Sequence, residues 1–243
     1  METAEYALMD AAEEGMWWYR ALHARLVDAL ADARGAVLDA GCGTGGLMRR
    51  LRAERPDLAL FGIDFSPAAA SRAAAKSGAP AAAASVLALP FADASFEAVV
   101  SADVLCHRSL DPGAALAEFA RVLKPGGRLV LNLPAYDWLM SAHDRRVHTA
   151  RRSTAGSVRR QLAAAGFGDL GVRYWNSLLL PLMAAERKLL ARRAGAASDV
   201  KPFHPAVDAA FFAVTELERR LPALPAGGSV MATAVRAGGL PSH

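Results

Sequence analysis

From Glu13 to Leu30 the apolar side chains Trp18, Leu22, Leu26 and Leu30 recur at every fourth position, the spacing that lines one face of an α-helix. This predicts an amphipathic N-terminal helix, with Gly35 as a stop signal before the next element. Short uninterrupted apolar runs then alternate with alanine-rich helical stretches. We read strands at Ala36–Ala40, Leu58–Asp64, Ala81–Val86, Glu97–Asp103 and Arg128–Leu133, with helices near Gly46–Ala53, Pro67–Ser77 and Pro112–Leu123. Strands that are apolar on both faces and joined by helical crossovers indicate a parallel sheet covered on both sides.

The rhythm changes beyond Pro134. Ser153 or Thr154 can cap a helix that runs to Ala165 and is ended by Gly166. Leu170–Trp175 reads as a strand, and Gly227 and Gly228 precede a last one at Ser229–Val235. Between these two strands lie two further pieces of helical character, Leu178–Leu190 and Pro205–Leu221. Neither can hold a core of its own, so both are expected as an insertion, about 177–226, packed on one domain. Within that domain residues 1–35 form a helical lid, 36–135 the core, and 136–243 a second half carrying the insertion.

Composition narrows the setting. The chain has 243 residues, 53% of them hydrophobic, enough for one α/β domain with a full core. It shows neither a secretory leader nor a run of eighteen uncharged apolar residues, so a cytoplasmic protein without stable membrane insertion is expected. Its two cysteines, Cys42 and Cys106, lie in no metal-binding or disulfide pattern. The net charge of +4 is unevenly spread: residues 140–193 hold eleven Lys or Arg against Asp144, Asp169 and Glu186. That basic half fits a solvated face, or an anionic or carrier-tethered substrate.

The candidate chemistry sits where the first strand opens into a helix, in Val37-Leu-Asp-Ala-Gly-Cys-Gly-Thr-Gly-Gly46. Glycines here let the backbone turn sharply and approach a ligand, and free N–H groups at the helix start favour electronegative atoms. Gly41, Gly43 and Gly46 alone also satisfy the dinucleotide fingerprint. Asp39 before the loop, Gly45 in alternate spacing, and Asp64 closing Phe61-Gly-Ile-Asp64, where a carboxylate can hold two ribose hydroxyls, make the pattern more specific.

With these residues the chain resembles the class I, or seven-stranded, S-adenosylmethionine-dependent methyltransferases, whose loop reads D-x-G-x-G-x-G. Leu89-Pro-Phe91 with Asp93, Ser95-Phe96 and Leu123-Lys-Pro-Gly-Gly127 add to the likeness. The resemblance implies a doubly wound, Rossmann-like, mostly parallel seven-stranded sheet with an antiparallel last strand. It implies S-adenosylmethionine as donor and S-adenosylhomocysteine as product. Gly41, Cys42, Gly43 and Gly45 would meet the cofactor's amino-acid part, with Asp39 organising the loop and Asp103 beside it at the fourth strand's end. Asp64 would take the ribose hydroxyls and Phe65 would lie along the adenine. Ser85, where the family usually has an acid, and Val86 would border the adenine edge.

Glu13-Glu-Gly-Met-Trp-Trp-Tyr-Arg20 and Leu133-Pro-Ala-Tyr-Asp-Trp-Leu-Met-Ser-Ala-His-Asp144, followed by Arg151-Arg152, resemble a small-molecule branch of this superfamily, with Ser153 where that branch commonly has tyrosine. For an acceptor bearing a proton, a general base is needed. His143 is the first candidate and His107 the second, both in loops at the carboxyl ends of strands; Tyr136 is a third. Trp17, Tyr19 and Trp138 are candidate pocket walls. Cys106 stands where some quinone-biosynthesis relatives carry a glutamate of a metal site, so no metal is expected. The expected function is methyl transfer to O, N or C of a small metabolite. Methylation of RNA, and binding of S-adenosylmethionine or S-adenosylhomocysteine without transfer, are the alternatives; no sequence signature of DNA recognition is present.

Overall fold

In the computed structural model, residues 3–141, 144, 146–190 and 203–238 are described. Seven strands form one sheet: β1 (Ala36–Ala40), β2 (Ala59–Asp64), β3 (Ala81–Ala83), β4 (Phe96–Ala102), β5 (Leu123–Pro134), β6 (Phe167–Trp175) and β7 (Ser229–Arg236). The order is β3-β2-β1-β4-β5-β7-β6. β1 to β5 pair in parallel, while β7 runs antiparallel to both β5 and β6. The chain order reverses between β1 and β4, and such a switch point leaves a crevice beyond the carboxyl ends of the strands.

Eight α-helices are delimited among the described residues, α1 (Thr3–Ala12), α2 (Trp17–Ala29), α3 (Gly46–Glu54), α4 (Pro67–Ser77), α5 (Pro112–Val122), α6 (Ala155–Ala164), α7 (Leu180–Leu190) and α8 (Pro205–Arg219), with a 3-10 turn at Asp137–Leu139. The helix caps follow from the sequence. Ser66 caps α4 through Ala69 N–H, Asp111 caps α5 through Gly113 N–H, and Thr154 and Ser157 form a reciprocal box at the start of α6, each satisfying backbone donors that a helix start leaves unpaired.

Two apolar layers cover the sheet. One joins Leu38, Val99, Leu129 and Leu131 to Leu116 and Phe119 of α5 and Val158 and Leu162 of α6. The other joins Val37, Val100 and Val130 to Leu22, Leu26 and Leu30 of the α2 region and Met48 and Leu51 of α3. The predicted stripe of the N-terminal helix is therefore its buried face. The stretch Leu89 to Asp93 is held by two side chains of α5: Arg121 donates to the carbonyls of Leu89 and Phe91 and to the carboxylate of Asp93, and Glu118 accepts from Leu89 N–H.

The structure corrects four boundaries, the largest at β5, which starts at Leu123, five residues before the expected Arg128, where it pairs with Phe96 of β4. The helix expected from Glu13 begins at Trp17, after a break in which Met16 is extended, and a separate helix α1 precedes it. β3 ends at Ala83, because Ser85 turns the chain back to bridge Ala88 and its hydroxyl accepts from Leu87 N–H at 3.2 Å. β6 starts three residues earlier than expected, at Phe167, where it pairs with Arg236 of β7. Of the insertion, α8 packs on α2: the Trp17 ring meets Phe211 edge-on at 5.5 Å and Asp208 accepts from the Trp17 backbone at 2.8 Å.

Gly45 holds α3 against α4. Its φ is +92°, and a Cβ there would lie 2.6 Å from the Ala73 Cα. Left-handed strain and a backbone clash act together in Gly45→Ala. We expect that variant to lose about 2–4 kcal/mol of stability in urea unfolding; a loss under about 0.5 kcal/mol would show that the α3–α4 contact yields easily.

Candidate functional site

The strand register brings the acidic residues together. Asp39 on β1 lies level with Gly62 on β2 and Val100 on β4, so the carboxylates of Asp39, Asp64 and Asp103 converge on the ends of three adjacent strands, which run about 4.8 Å apart. The glycine loop starts here, with the amides of Gly41 and Cys42 donating to the Ile63 carbonyl at 2.8 Å. Asp64 Oδ2 accepts from Gly43 N–H at 2.9 Å, and Oδ1 accepts from Ser66 N–H at 2.9 Å and the Tyr6 hydroxyl at 2.8 Å. Asp64 is thus a buried acceptor already holding a hydroxyl donor.

Asp39 is different. It is buried, no side-chain hydrogen bond is found for it among the described residues, and burial with Asp64 and Glu13 nearby pushes its carboxyl up to about 8. Burial also raises Asp103 to about 7, against the opposing pull of Arg152 and a 3.0 Å bond from Asn132. Such a cluster favours a cationic ligand over an anionic one. Asp103 further adopts φ +56°, a backbone strain that the surrounding contacts must hold. Asn132 donates to Asp103 and accepts from Trp175 Nε1 at 2.7 Å, while Trp18 stacks on Trp175 at 6.2 Å. An indole N–H can only donate, so this chain fixes which way the amide points.

Glu13 joins the cluster unannounced by the sequence pattern. Its carboxylate accepts from Thr44 Oγ1 at 2.7 Å and from Gly46 N–H at 3.1 Å, and pairs with Lys76. It therefore sits on the unpaired amides at the start of α3, where negative charge is stabilised. Tyr6 was likewise invisible as a site residue. The only trace in the sequence is a run of good helix formers before Gly15.

The other predicted residues fall in several places. Phe65 is 85% exposed beside Asp64, whereas Val86 is buried in the α5-side layer. The Cys42 thiol is pushed up by burial and by Asp39 and Asp64, and Cys106 is raised to about 12 by burial and Asp103; neither is a thiolate nucleophile. Tyr19 faces Glu13, Asp103 and Glu5, which with burial hold its phenol above the usual range. Trp17 does not share that place, being buried against α8.

His107 is half-buried in the loop after β4, and burial pushes its imidazole down to about 4, so it is neutral at pH 7. That loop is stitched to the segment after β5: Arg108 N–H donates to His148 and Ala150 N–H to Cys106. Below the stitching, the buried Asp144 carboxylate takes two 2.8 Å bonds from Arg152. Tyr136 has φ +58°, stacks on Tyr174 at 5.3 Å and Trp138 at 5.7 Å, and is raised to about 12 by burial and its bond to Tyr174. Its phenol is therefore protonated at pH 7. Trp138 is 59% exposed. His143 lies outside the described residues. Among the described residues, no cluster of three His, Cys, Asp or Glu side chains suited to a metal ion is found, and no helix is long and apolar enough to cross a membrane.

An open α/β sheet with a glycine loop and acidic strand ends at its switch point defines a domain built around a nucleoside-type cofactor. Residues 38–131 match the family model described as a methyltransferase domain. The chain is 33% identical over 156 residues to a methyltransferase-assigned protein of Encephalitozoon cuniculi, covering 63% of this chain and 67% of that one. It is 40% identical over 119 residues to the demethylmenaquinone methyltransferase of Deinococcus radiodurans, covering 47% and 48%. It is also 40% identical over 97 residues to a malonyl-(acyl-carrier protein) O-methyltransferase of Hahella chejuensis, covering 39% and 34%. The chain thus spans about half or less of the length of these last two relatives.

Among solved structures, geranyl diphosphate C-methyltransferase from Streptomyces coelicolor A3(2) superposes with a TM-score of 0.63 at 18% identity, over 90% of this chain and 79% of that one. The (4+2)-cyclase SpnF does so at 0.58 with 25% identity, over 90% and 80%. The chain belongs to the class I S-adenosylmethionine-dependent methyltransferase family.

Because the protonated form of Asp39 is the favoured one in the fold, its contribution to stability is complete below the ordinary carboxylate range and is lost as pH rises through about 8. Asp103 acts in the same direction, through about 7. The ligand-free protein should therefore lose melting temperature from the ordinary carboxylate range up to about pH 8 and level off above it, and Asp39→Asn should flatten that slope and raise the midpoint at pH 8.5. A variant no more stable than the parent at pH 8.5 would contradict the buried charge.

Proposed function

We propose that this protein is an enzyme that transfers a methyl group from S-adenosylmethionine to a small-molecule acceptor. The observation that carries this reading is the glycine loop held between Asp39, a buried carboxyl with no side-chain hydrogen bond found among the described residues, and Asp64, which already accepts a hydroxyl. The residues fit the cofactor: Asp64 suits vicinal ribose hydroxyls, and the excess of carboxylates suits a ligand carrying sulfonium and ammonium charges. Phe65 offers an open aromatic face beside Asp64 for the base, with Ser85 and the buried Val86 as the candidates for its edge. When bound, the sulfonium supplies an electrophilic methyl group whose S–C bond breaks toward sulfur as the acceptor's bond to carbon forms.

The chain's own part is to orient the acceptor, exclude water and take up its proton. His107, neutral and in the loop after β4, suits the base, and Asp103 lies four residues before it with a carboxyl near neutrality. His143 stays a candidate on the sequence alone. Tyr19 and the Tyr136–Trp138 stack suit acceptor walls. The relatives named for a demethylmenaquinone and a malonyl-carrier substrate point to a quinol or an acid, free or carrier-tethered, and the surplus of arginine beyond Met140 favours an anionic acceptor.

The resemblance to a cyclase favours keeping a second reading, in which the cofactor is bound and no methyl group moves. Methyl-labelled S-adenosylmethionine incubated with a panel of quinols, carboxylic acids and acyl-carrier thioesters separates the two. The proposal expects S-adenosylhomocysteine and a labelled product in equal amounts with at least one acceptor class, and His107→Ala to lower that turnover at least tenfold with donor affinity kept. Donor binding without product from any class favours the second reading. Asp64→Ala should weaken donor binding about 10–100-fold; an unchanged affinity places the donor elsewhere.

A further inference from the structure

The loop and strand-end groups that the donor reading relies on are engaged in this structure by the protein's own N-terminus. Tyr6, on α1, donates its hydroxyl to Asp64 Oδ1 at 2.8 Å. Met9 lies over the loop, its terminal carbon 2.6 Å from where a Cβ on Gly43 would stand. Just after α1, the Glu13 carboxylate accepts from Thr44 Oγ1 and from Gly46 N–H, the first amide of α3. A hydroxyl on the β2 carboxylate and a carboxylate on the loop amides are the two kinds of contact that a nucleoside bearing an amino-acid tail would make.

The attachment of α1 has the character of a strap. None of its residues belongs to either apolar layer. It is tied down by polar contacts: Asp10 with Arg72 and Lys76 of α4, and Glu13 with the same lysine. The Arg72–Asp10 pair is partly exposed and weak, whereas Lys76 and Glu13 are each only 4% exposed, so that pair opens only where an acid group of the ligand takes the place of the Glu13 carboxylate. Between α1 and α2 the chain has a joint, where Gly15 has open space around it and Met16 is extended. α2 itself is fixed in the core through Leu22 and Leu26. α1 can therefore turn at residues 13–16 while the domain stays intact.

We propose that α1 is an internal occupant of the donor cleft: the Tyr6 hydroxyl takes the place of a ribose hydroxyl on Asp64, the Glu13 carboxylate takes the place of the ligand's acid group on the loop amides, and donor binding requires α1 to swing aside. The inference rests on the S-adenosylmethionine reading of the loop. It makes the free protein self-closed, so that the measured affinity is the intrinsic one reduced by the fraction of molecules in which α1 is displaced.

The test is calorimetric titration of the full chain with S-adenosylhomocysteine, in the parent, Tyr6→Phe and Asp64→Ala proteins, with amide hydrogen exchange on the same samples. Removing the competing hydroxyl should tighten binding about five- to tenfold in Tyr6→Phe, and the ligand should accelerate exchange in residues 3–12 while leaving 17–29 unchanged. Equal or weaker binding by Tyr6→Phe, or slower exchange in residues 3–12 on binding, would overturn the proposal and make Tyr6 part of the ligand's own site. Asp64→Ala reports separately on the underlying reading: an affinity equal to the parent's, or no binding by any of the three proteins, would overturn the donor assignment and the strap with it.

Discussion

Asp64 ties three separate parts of the chain to one point at the end of the sheet. Its two oxygens hold the amide of Gly43 in the glycine loop, the amide of Ser66 at the cap of α4, and the hydroxyl of Tyr6 on α1. β2 must run parallel to β1 in the observed register for this to happen, and Gly45 must let α3 approach α4 to the distance that only a missing Cβ allows. The fold's two apolar layers are what pin the strands in that register. Two of the three donors to it are backbone amides, set in place by the glycine loop and the helix cap.

The neighbouring carboxylates are less well served. Asp39 is buried beside Asp64 and Glu13, and Lys76 is the cation that reaches this group. At the end of the next strand, Asp103 is held in a strained backbone conformation by a relay through Asn132 and Trp175. Strain and unbalanced charge at the mouth of a crevice cost folding free energy, and are retained where a ligand compensates them. A cation with ribose hydroxyls is such a ligand, and the family to which the chain belongs is defined by one. On the proposed donor reading, the same electrostatics would separate the donor from its product, since methyl transfer removes the sulfonium charge.

Much of this was legible from the residues. Continuous apolar strands and capped helices carry their own signals, because alternation and end-capping are local, and Gly41, Gly45 and Asp64 each mark a position that few other residues could fill. What was not legible is non-local. Tyr6 and Asp64 are 58 positions apart, and α1 shows no apolar stripe because the face it turns inward includes Glu5, which is only 4% exposed. The stripe from Trp18 hid the break at residues 13–16, since Glu13 and Glu14 are as good in a helix as in a turn. Trp17 and Tyr19 are two residues apart and read alike as pocket walls, yet helical geometry sends one to α8 and the other toward Asp103. The turn at Ser85 depends on its hydroxyl meeting Leu87, a contact that β-propensity does not register.

The central claim is that the carboxyl ends of β1 and β2 hold the donor through Asp39 and Asp64. A crystal structure of the full chain grown with S-adenosylhomocysteine tests it most directly. The account predicts the ribose hydroxyls on Asp64, the amino group of the methionine-derived tail near Asp39, and the Tyr6 hydroxyl released. Ligand density elsewhere on the protein, with Asp64 still bound to Tyr6, would contradict it.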